Sequence, residues 1–388
     1  MQALFLAVVS LTFCQRRGKI DLALLVVSTS WFIGVSIIFW RYGVVGQNDF
    51  YQNDQRFHWE IVTQRISSDL DGSFYQLNTL RAPYTLPAFV LAKIGFDATL
   101  SLKFVSLCCA LANIALVRKF IVQNGRQWSV FAFWLVAGPM ITFFSMLALR
   151  ETMMLLCVSH LFLRSSVNGR IISLIALVVL RPHLAAAVAI GLVWGHVVKK
   201  VPERTHLMAV ILTALVPVYL GIVGFPLGQM LLSQRPFNLD NGLFLREQFV
   251  QVFSAFAGLQ FVTVAYQTVE FSTYSLILVR AIFPEIVLIP LLFVASSLFY
   301  NPKLAGIKFG ALASFVFFTS VSTGTEFLSV RQSLSFMTTL GAIAILTFSR
   351  NFEWVQLSTL SPTTSYGGAV QEEFSARSSP DIDQIQAR

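Results

Sequence analysis

The sequence predicts an all-α, polytopic membrane protein. Of 388 residues, 55% are hydrophobic and only 12% are charged, about half the charged share of soluble domains. The apolar residues gather in runs, several of them close to the ~20 residues of helix that a bilayer requires. The charges stand singly or in small groups between those runs, as loop charges do. The 36 Phe fit the same reading, because a lipid-facing surface needs no polarity.

The runs place helices at 20–40, 99–117, 128–149, 152–163, 207–226, 284–299, 305–323 and 327–348. Two shorter runs, 171–180 and 184–198, are split by Arg181-Pro182-His183 and read as a hairpin or a tilted pair. Residues 1–14 are apolar but short: a signal-like segment, an interfacial helix or a short extra span. No small-residue cleavage site follows them, so retention is expected. The expectation is about ten or eleven transmembrane helices in one domain, 1–350, with two long external loops, 41–97 and 227–274. The first loop contains an interfacial helix around 54–70 and a Pro-bounded stretch, Pro83 to Pro87. The second contains a weakly amphipathic stretch suited to the membrane interface. Residues 351–388 read as a disordered cytoplasmic tail, Ser/Thr/Gln-rich from Ser358 onward.

The net charge of +9 does not point to nucleic acid, because its distribution encodes topology. One set of loops holds Arg16, Arg17, Lys19, Arg118, Lys119, Arg126, Arg164, Arg170, Lys199, Lys200, Arg204, Lys303, Lys308 and Arg350, against only Asp21 and Glu203. That set is assigned to the cytoplasm. The opposite set mixes Arg with Asp and Glu and is assigned outside. Cys14, Cys108, Cys109 and Cys157 lie in apolar runs without CxxC or zinc spacing, so no disulfide framework is expected. His160, His196 and His206 are isolated and carry no metal pattern.

Four polar groups interrupt the apolar pattern. The first is the loop from Gln47 to Glu60, with Asp49, Asp54, Arg56 and His58 among Tyr51, Phe57 and Trp59. A carboxylate here can accept a proton from a sugar hydroxyl or hold a divalent cation. Arg56 and His58 can meet phosphate oxygens; the plain alternative is a solvated loop with an aromatic belt. The second is Arg150-Glu151. Adjacent residues on a helix do not face each other, so the two meet different partners, or Arg150 binds an anion; otherwise they mark a tight external turn. The third is Arg181-Pro182-His183, where Pro frees backbone carbonyls beside an Arg and a His. It reads as an anion site or as a capped helix break. The fourth is Arg331, about one turn inside the last span, which needs a phosphate, a carboxylate such as Glu326, or the interface.

In order and placement these groups resemble the GT-C superfamily of polyprenyl-phosphate-dependent glycosyltransferases, above all bacterial relatives of the protein O-mannosyltransferase and aminoarabinose transferase group. Asn53-Asp54-Gln55-Arg56-Phe57-His58 sits where that superfamily carries an acidic residue in its first external loop. Tyr84-Thr85-Leu86-Pro87, Leu149-Arg150-Glu151, Leu180-Arg181-Pro182 and Arg331 are similar to later features of the pattern. The chain departs from it in two ways: Asp49 and Asp54 are not contiguous, with Gln55 in place of a second acid, and no large soluble C-terminal domain follows. A Wzy-like polysaccharide polymerase is a related resemblance.

The resemblance implies a glycosyltransferase of the bacterial inner membrane. It would move a sugar from a polyprenyl-phosphate-linked donor to a glycan or lipid acceptor on the external face. Asp54 or Asp49 would be the catalytic base, or would hold a divalent cation if one is used. Arg56, His58, Arg150, Glu151, Arg181, His183 and Arg331 would bind substrate, the basic ones neutralising the departing phosphate. A transporter or flippase of lipid-linked oligosaccharide is the alternative; it would use the same basic groups and need no base. Nucleic acid is not an expected partner; membrane lipids are.

Overall fold

Inside lipid an isolated segment can satisfy its own backbone N–H and C=O groups only as a helix. The computed structural model describes residues 2–14, 21–42, 52–67, 81–125, 127–164, 166–217, 219, 288–323 and 330–359, and no strand occurs among them. The helices are α1 (Gln2–Cys14), α2 (Leu22–Tyr42), α3 (Gln52–Ser67), α4 (Ala82–Lys93), α5 (Ala98–Asn124), α6 (Gln127–Ser145), α7 (Glu151–Leu163), α8 (Val167–Leu180) and α9 (Pro182–Val198). Then come α10 (206–217), α11 (Leu288–Ser297), α12 (Ala305–Thr323) and α13 (Val330–Thr359). Three apolar stretches are long enough to cross a membrane: Leu22–Trp40, Ala98–Asn124 and Trp128–Ser145. The shorter apolar helices have 10–17 residues, or about 15–26 Å of rise. The expected loop at 227–274 lies outside the described residues.

α5 is the central element. It packs against α1, α2, α3, α4, α6 and α7. Asp97 caps its start, accepting from the Leu100 N–H at 2.9 Å; this satisfies one of the donors a helix N-terminus leaves open.

Three departures from the sequence reading shape the molecule. First, in the segment expected as a loop at 41–97, the helix expected around 54–70 is present as α3, but a second helix, α4, follows it and both pack into the bundle. On α3, Gln55, His58, Ile61 and Val62 form one buried face. On α4, Pro83 stands in the first turn, where no N–H is needed, so the Pro-bounded stretch is helical and buries Tyr84, Thr85 and Ala88. Second, α6 stops at Ser145 instead of continuing to 149. Third, α13 continues past Arg350 to Thr359, so the start of the expected tail is helical; residues 360–388 lie outside the described residues.

The tightest helix crossing joins α9 to α12. Gly191 and Gly195 on α9 face Gly310 and Gly306 on α12. A Cβ at Gly191 would collide with the Gly310 carbonyl and Ser314 Oγ, and one at Gly195 with the Gly306 carbonyl. These are two G-x-x-x-G stripes face to face, an arrangement that lets backbones approach closely where lipid supplies no hydrophobic drive. The register is antiparallel: four residues forward on α9 are four back on α12. Eight residues before Gly191 and eight after Gly310, the same register pairs His183 with Phe318, whose rings stack at 5.7 Å. The glycine contact thus sets the height of a pair of aromatic rings two turns away.

Replacing Gly191 or Gly195 by Val should destabilise the protein by about 2–3 kcal/mol through overpacking. Gly341→Ala should cost nothing, because its added Cβ would meet Ile289 and Phe133 at an ordinary 3.7 Å. Thermal unfolding in detergent compares the three; equal midpoints for the α9 variants and Gly341→Ala would rule out the close crossing.

Candidate functional site

The interruption between α6 and α7 organises the site. Residues 146–150 are not helical, and Leu147, Ala148 and Leu149 are fully buried. Backbone groups buried outside a helix need partners, and side chains from three helices supply them. Trp31 Nε1 of α2 donates to Ser145 O at 2.9 Å. Lys103 Nζ of α5 donates to Met146 O at 2.9 Å. Gln55 Oε1 of α3 accepts from the Ala148 N–H at 2.9 Å, and His58 Nδ1 bonds Ala148 O at 2.9 Å. Ser106 Oγ of α5 donates to Leu149 O at 3.0 Å. Met146 itself sits against Gly34 of α2, where any side chain would collide with its sulfur.

This scaffold presents Arg150 and Glu151. Arg150 Nη1 donates to Leu180 O at 2.6 Å, the last carbonyl of α8 and one with no helical partner. Arg181 joins α8 to α9. Its N–H returns to Leu177 O at 2.7 Å, and its carbonyl accepts from Leu184 and Ala185. Its Nε donates to His183 Nε2 at 2.8 Å. The Arg181 guanidinium also lies 5.6 Å from the Phe318 ring on which His183 stacks.

Arg81, just before α4, completes the group. Its guanidinium lies over the Phe57 ring at 4.1 Å, and Nη1 meets His58 Nε2 at 3.0 Å. A guanidinium can only donate, so this nitrogen of His58 accepts, and Nδ1 carries the proton given to Ala148 O. His183 is likewise an acceptor at Nε2. Both imidazoles are therefore neutral. Glu151 is fully buried, and its carboxylate lies within electrostatic reach of Arg150, Arg181 and Arg81. Three guanidiniums against one carboxylate leave the described cluster at least two charges positive. Among the described side chains this is an excess of N–H donors mostly shielded from water, a setting whose chemistry suits an anion.

Of the residues the sequence singles out, His58, Arg150, Glu151, Arg181 and His183 meet here. Arg56 does not: it is exposed on the outer face of α3 and pairs with Glu60 at 3.0 Å. Asp49 lies outside the described residues. Asp54 is placed by its backbone alone, in the first turn of α3 beside Gln55. Arg331 is also placed by its backbone. Ser159 of α7 bonds Thr338 and Thr339 of α13 at 2.8 and 3.2 Å. Both helices run away from the site, since Leu346 lies against Gly125 at the far end of α5. Seven residues back along each stand Thr152 and Arg331, so residue 331 opens α13 level with Glu151. Sequence reasoning passed over Arg81, Gln55 and Lys103 as site residues. The only signal for Arg81 is its place two residues before Pro83, at the opening of a helix.

For a divalent cation the described donors are unsuitable: one carboxylate surrounded by guanidiniums repels a cation. Among the described residues no three His, Cys, Asp or Glu side chains gather. The carboxylates expected to hold a cation, Asp49 and Asp54, are not described as side chains.

Burial and the Arg81 charge, with a smaller push from Arg150, hold His58 down to about 3 from its ordinary 6.5, although its bond to Ala148 O works the other way. Burial likewise lowers Arg81 to about 10, which leaves it charged at neutral pH. Between about pH 6.5 and 3 the unfolded chain binds a proton at residue 58 that the folded chain excludes. The stability His58 contributes is therefore complete above that window and falls by up to about 1.4 kcal/mol per pH unit within it. The unfolding midpoint should drop from pH 7.5 to 4.5, and His58→Gln should flatten the drop. A variant with the wild-type pH profile would show that another group controls it.

The chain matches no family model, no curated protein and no solved structure.

Proposed function

We propose that the chain is a polytopic glycosyltransferase or polymerase of the bacterial inner membrane. It takes sugar from a polyprenyl-phosphate-linked donor at the external face, for surface polysaccharide or glycoconjugate assembly. The observation that carries this reading is the convergence of Arg81, Arg150 and Arg181 on buried Glu151, between two helix breaks. A phosphate headgroup matches this excess of positive charge, and guanidiniums bind phosphate through paired N–H donors. Apolar helices around the cluster suit the polyprenyl tail.

Roles follow from position. Arg81, Arg150 and Arg181 take the donor phosphate and stabilise the charge that grows on it as the glycosidic bond breaks. Phe57 and Phe318 hold two of these guanidiniums by their faces. Asp54, one residue from the anchored Gln55, is the favoured general base for the acceptor hydroxyl, with Asp49 the other candidate. Arg331 enters at the level of Glu151. The charge pattern along the chain supports an external site. Arg118, fifteen residues from Lys103 and so about 22 Å further along α5, pairs with Asp21 at the opposite end.

The test uses purified protein in lipid, a polyprenyl-linked donor and a glycan or lipid acceptor. Arg150→Gln and Arg181→Gln should each lower transfer by about 100- to 1,000-fold. Asp54→Asn or Asp49→Asn should lower it by about 100- to 10,000-fold. Transfer that survives both Asp substitutions removes the proposed base. Lipid-linked sugar that crosses a vesicle membrane without any bond forming would establish the transporter or flippase instead.

A further inference from the structure

The two histidines of the cluster share an unusual bonding state. Each gives its Nε2 lone pair to an arginine, His58 to Arg81 at 3.0 Å and His183 to Arg181 at 2.8 Å. A phosphate-like anion competes for those same arginine N–H groups. An arginine that turns to the anion leaves an imidazole nitrogen without its donor, beside a new negative charge. From this geometry we infer that the site takes up a proton at His58 or His183 when it binds a doubly charged anion, so that anion and proton bind together. The inference rests on the anion-site reading above and adds the way that site is regulated.

The groups around each ring favour the exchange. His58 is faced by Arg81 and the Tyr84 ring, 5.2 Å away, and by the Ala148 carbonyl and Arg150 at the break. Lys103 of α5 is occupied with Gln55 and Met146 O. On its own helix, Arg56 and Glu60 pair with each other on the outer face. His183 is faced by Arg181, by Arg150 and by Phe318 of α12. Among the described groups, then, the charges nearest both rings are positive and keep them neutral. A dianion within about 4 Å reverses that field and raises proton affinity by roughly 10,000-fold or more. The protonated imidazole then donates to the anion, adding a charge-assisted hydrogen bond. For a sugar donor this favours the state in which phosphate has left and carries its full charge.

Calorimetry on the full chain in lipid nanodiscs tests this with sulfate, whose charge is fixed near neutral pH. Titrations in Tris and in HEPES at one pH separate proton uptake from binding heat. The expected result is an uptake of up to one proton per sulfate, and an affinity that strengthens by up to tenfold per pH unit from pH 8 to 6. Binding should vanish in Arg150→Gln, and the uptake should shrink in His58→Gln or His183→Gln. Should a histidine variant fail to fold, the buffer dependence of the wild-type heat decides alone. Saturable binding with equal heats in both buffers and no pH dependence overturns the coupling but leaves the anion site standing. Uptake undiminished in both histidine variants also overturns it. No saturable binding of sulfate or inorganic phosphate overturns the coupling and the anion site together.

Discussion

The structure depends on satisfying the backbone of residues 145–150. A helix carries its hydrogen bonds internally; a break in a buried chain does not, and an unpaired buried group costs about 1–3 kcal/mol. Here Trp31, Gln55, His58, Lys103 and Ser106 each bond this short stretch. The break is thereby made rigid, and it ties α2, α3 and α5 to the start of α7. Everything proposed for the site follows from that fixed point, because Arg150 and Glu151 are the next two residues.

The same economy recurs at the second break. Arg181 sits between α8 and α9, and the carbonyl exposed there at Leu180 is taken by Arg150. One break thus supplies the cap for the other, and two arginines far apart in sequence are held together by backbone need. A ligand that draws Arg150 away would leave Leu180 O open, so the proposed anion binding would be linked to the seating of α8 against the break. Glycine contacts between α9 and α12 bring Phe318 under the Arg181–His183 pair, so tight backbone packing lower in the bundle supports the site's aromatic wall.

The electrostatic design has a clear direction. Burial makes every charge in the cluster costly, and among its described residues the positive charges outnumber the negative. Neutral histidines act as temporary acceptors for arginine N–H groups, so that those donors are not left bare in a low-dielectric place. On the proposed reading the cluster is preorganised for an anion, with its donors already aimed and partly desolvated, which is how sites of this kind gain rate or affinity.

Sequence by itself determined the helical class and most apolar elements, because hydropathy and length act locally: α2, α8, α9 and α12 fall close to where their apolar runs lie. It also marked His58, Arg150, Glu151, Arg181 and His183, since polar groups that interrupt an apolar run stand out without any knowledge of neighbours. The G-x-x-x-G pairs were readable as local spacing too, though not which stripe faces which. Only the tertiary structure decided that α6 ends at Ser145, since its side-chain partners come from α2, α3 and α5. It alone turned Arg56 outward while His58, two residues on, turned inward; the packed face of α3 is set by the helices it meets. It alone brought in Arg81, Gln55 and Lys103, whose roles exist only through contacts with residues 23 to 93 positions away. Local chemistry names the charged groups, and long-range packing chooses which of them share a site.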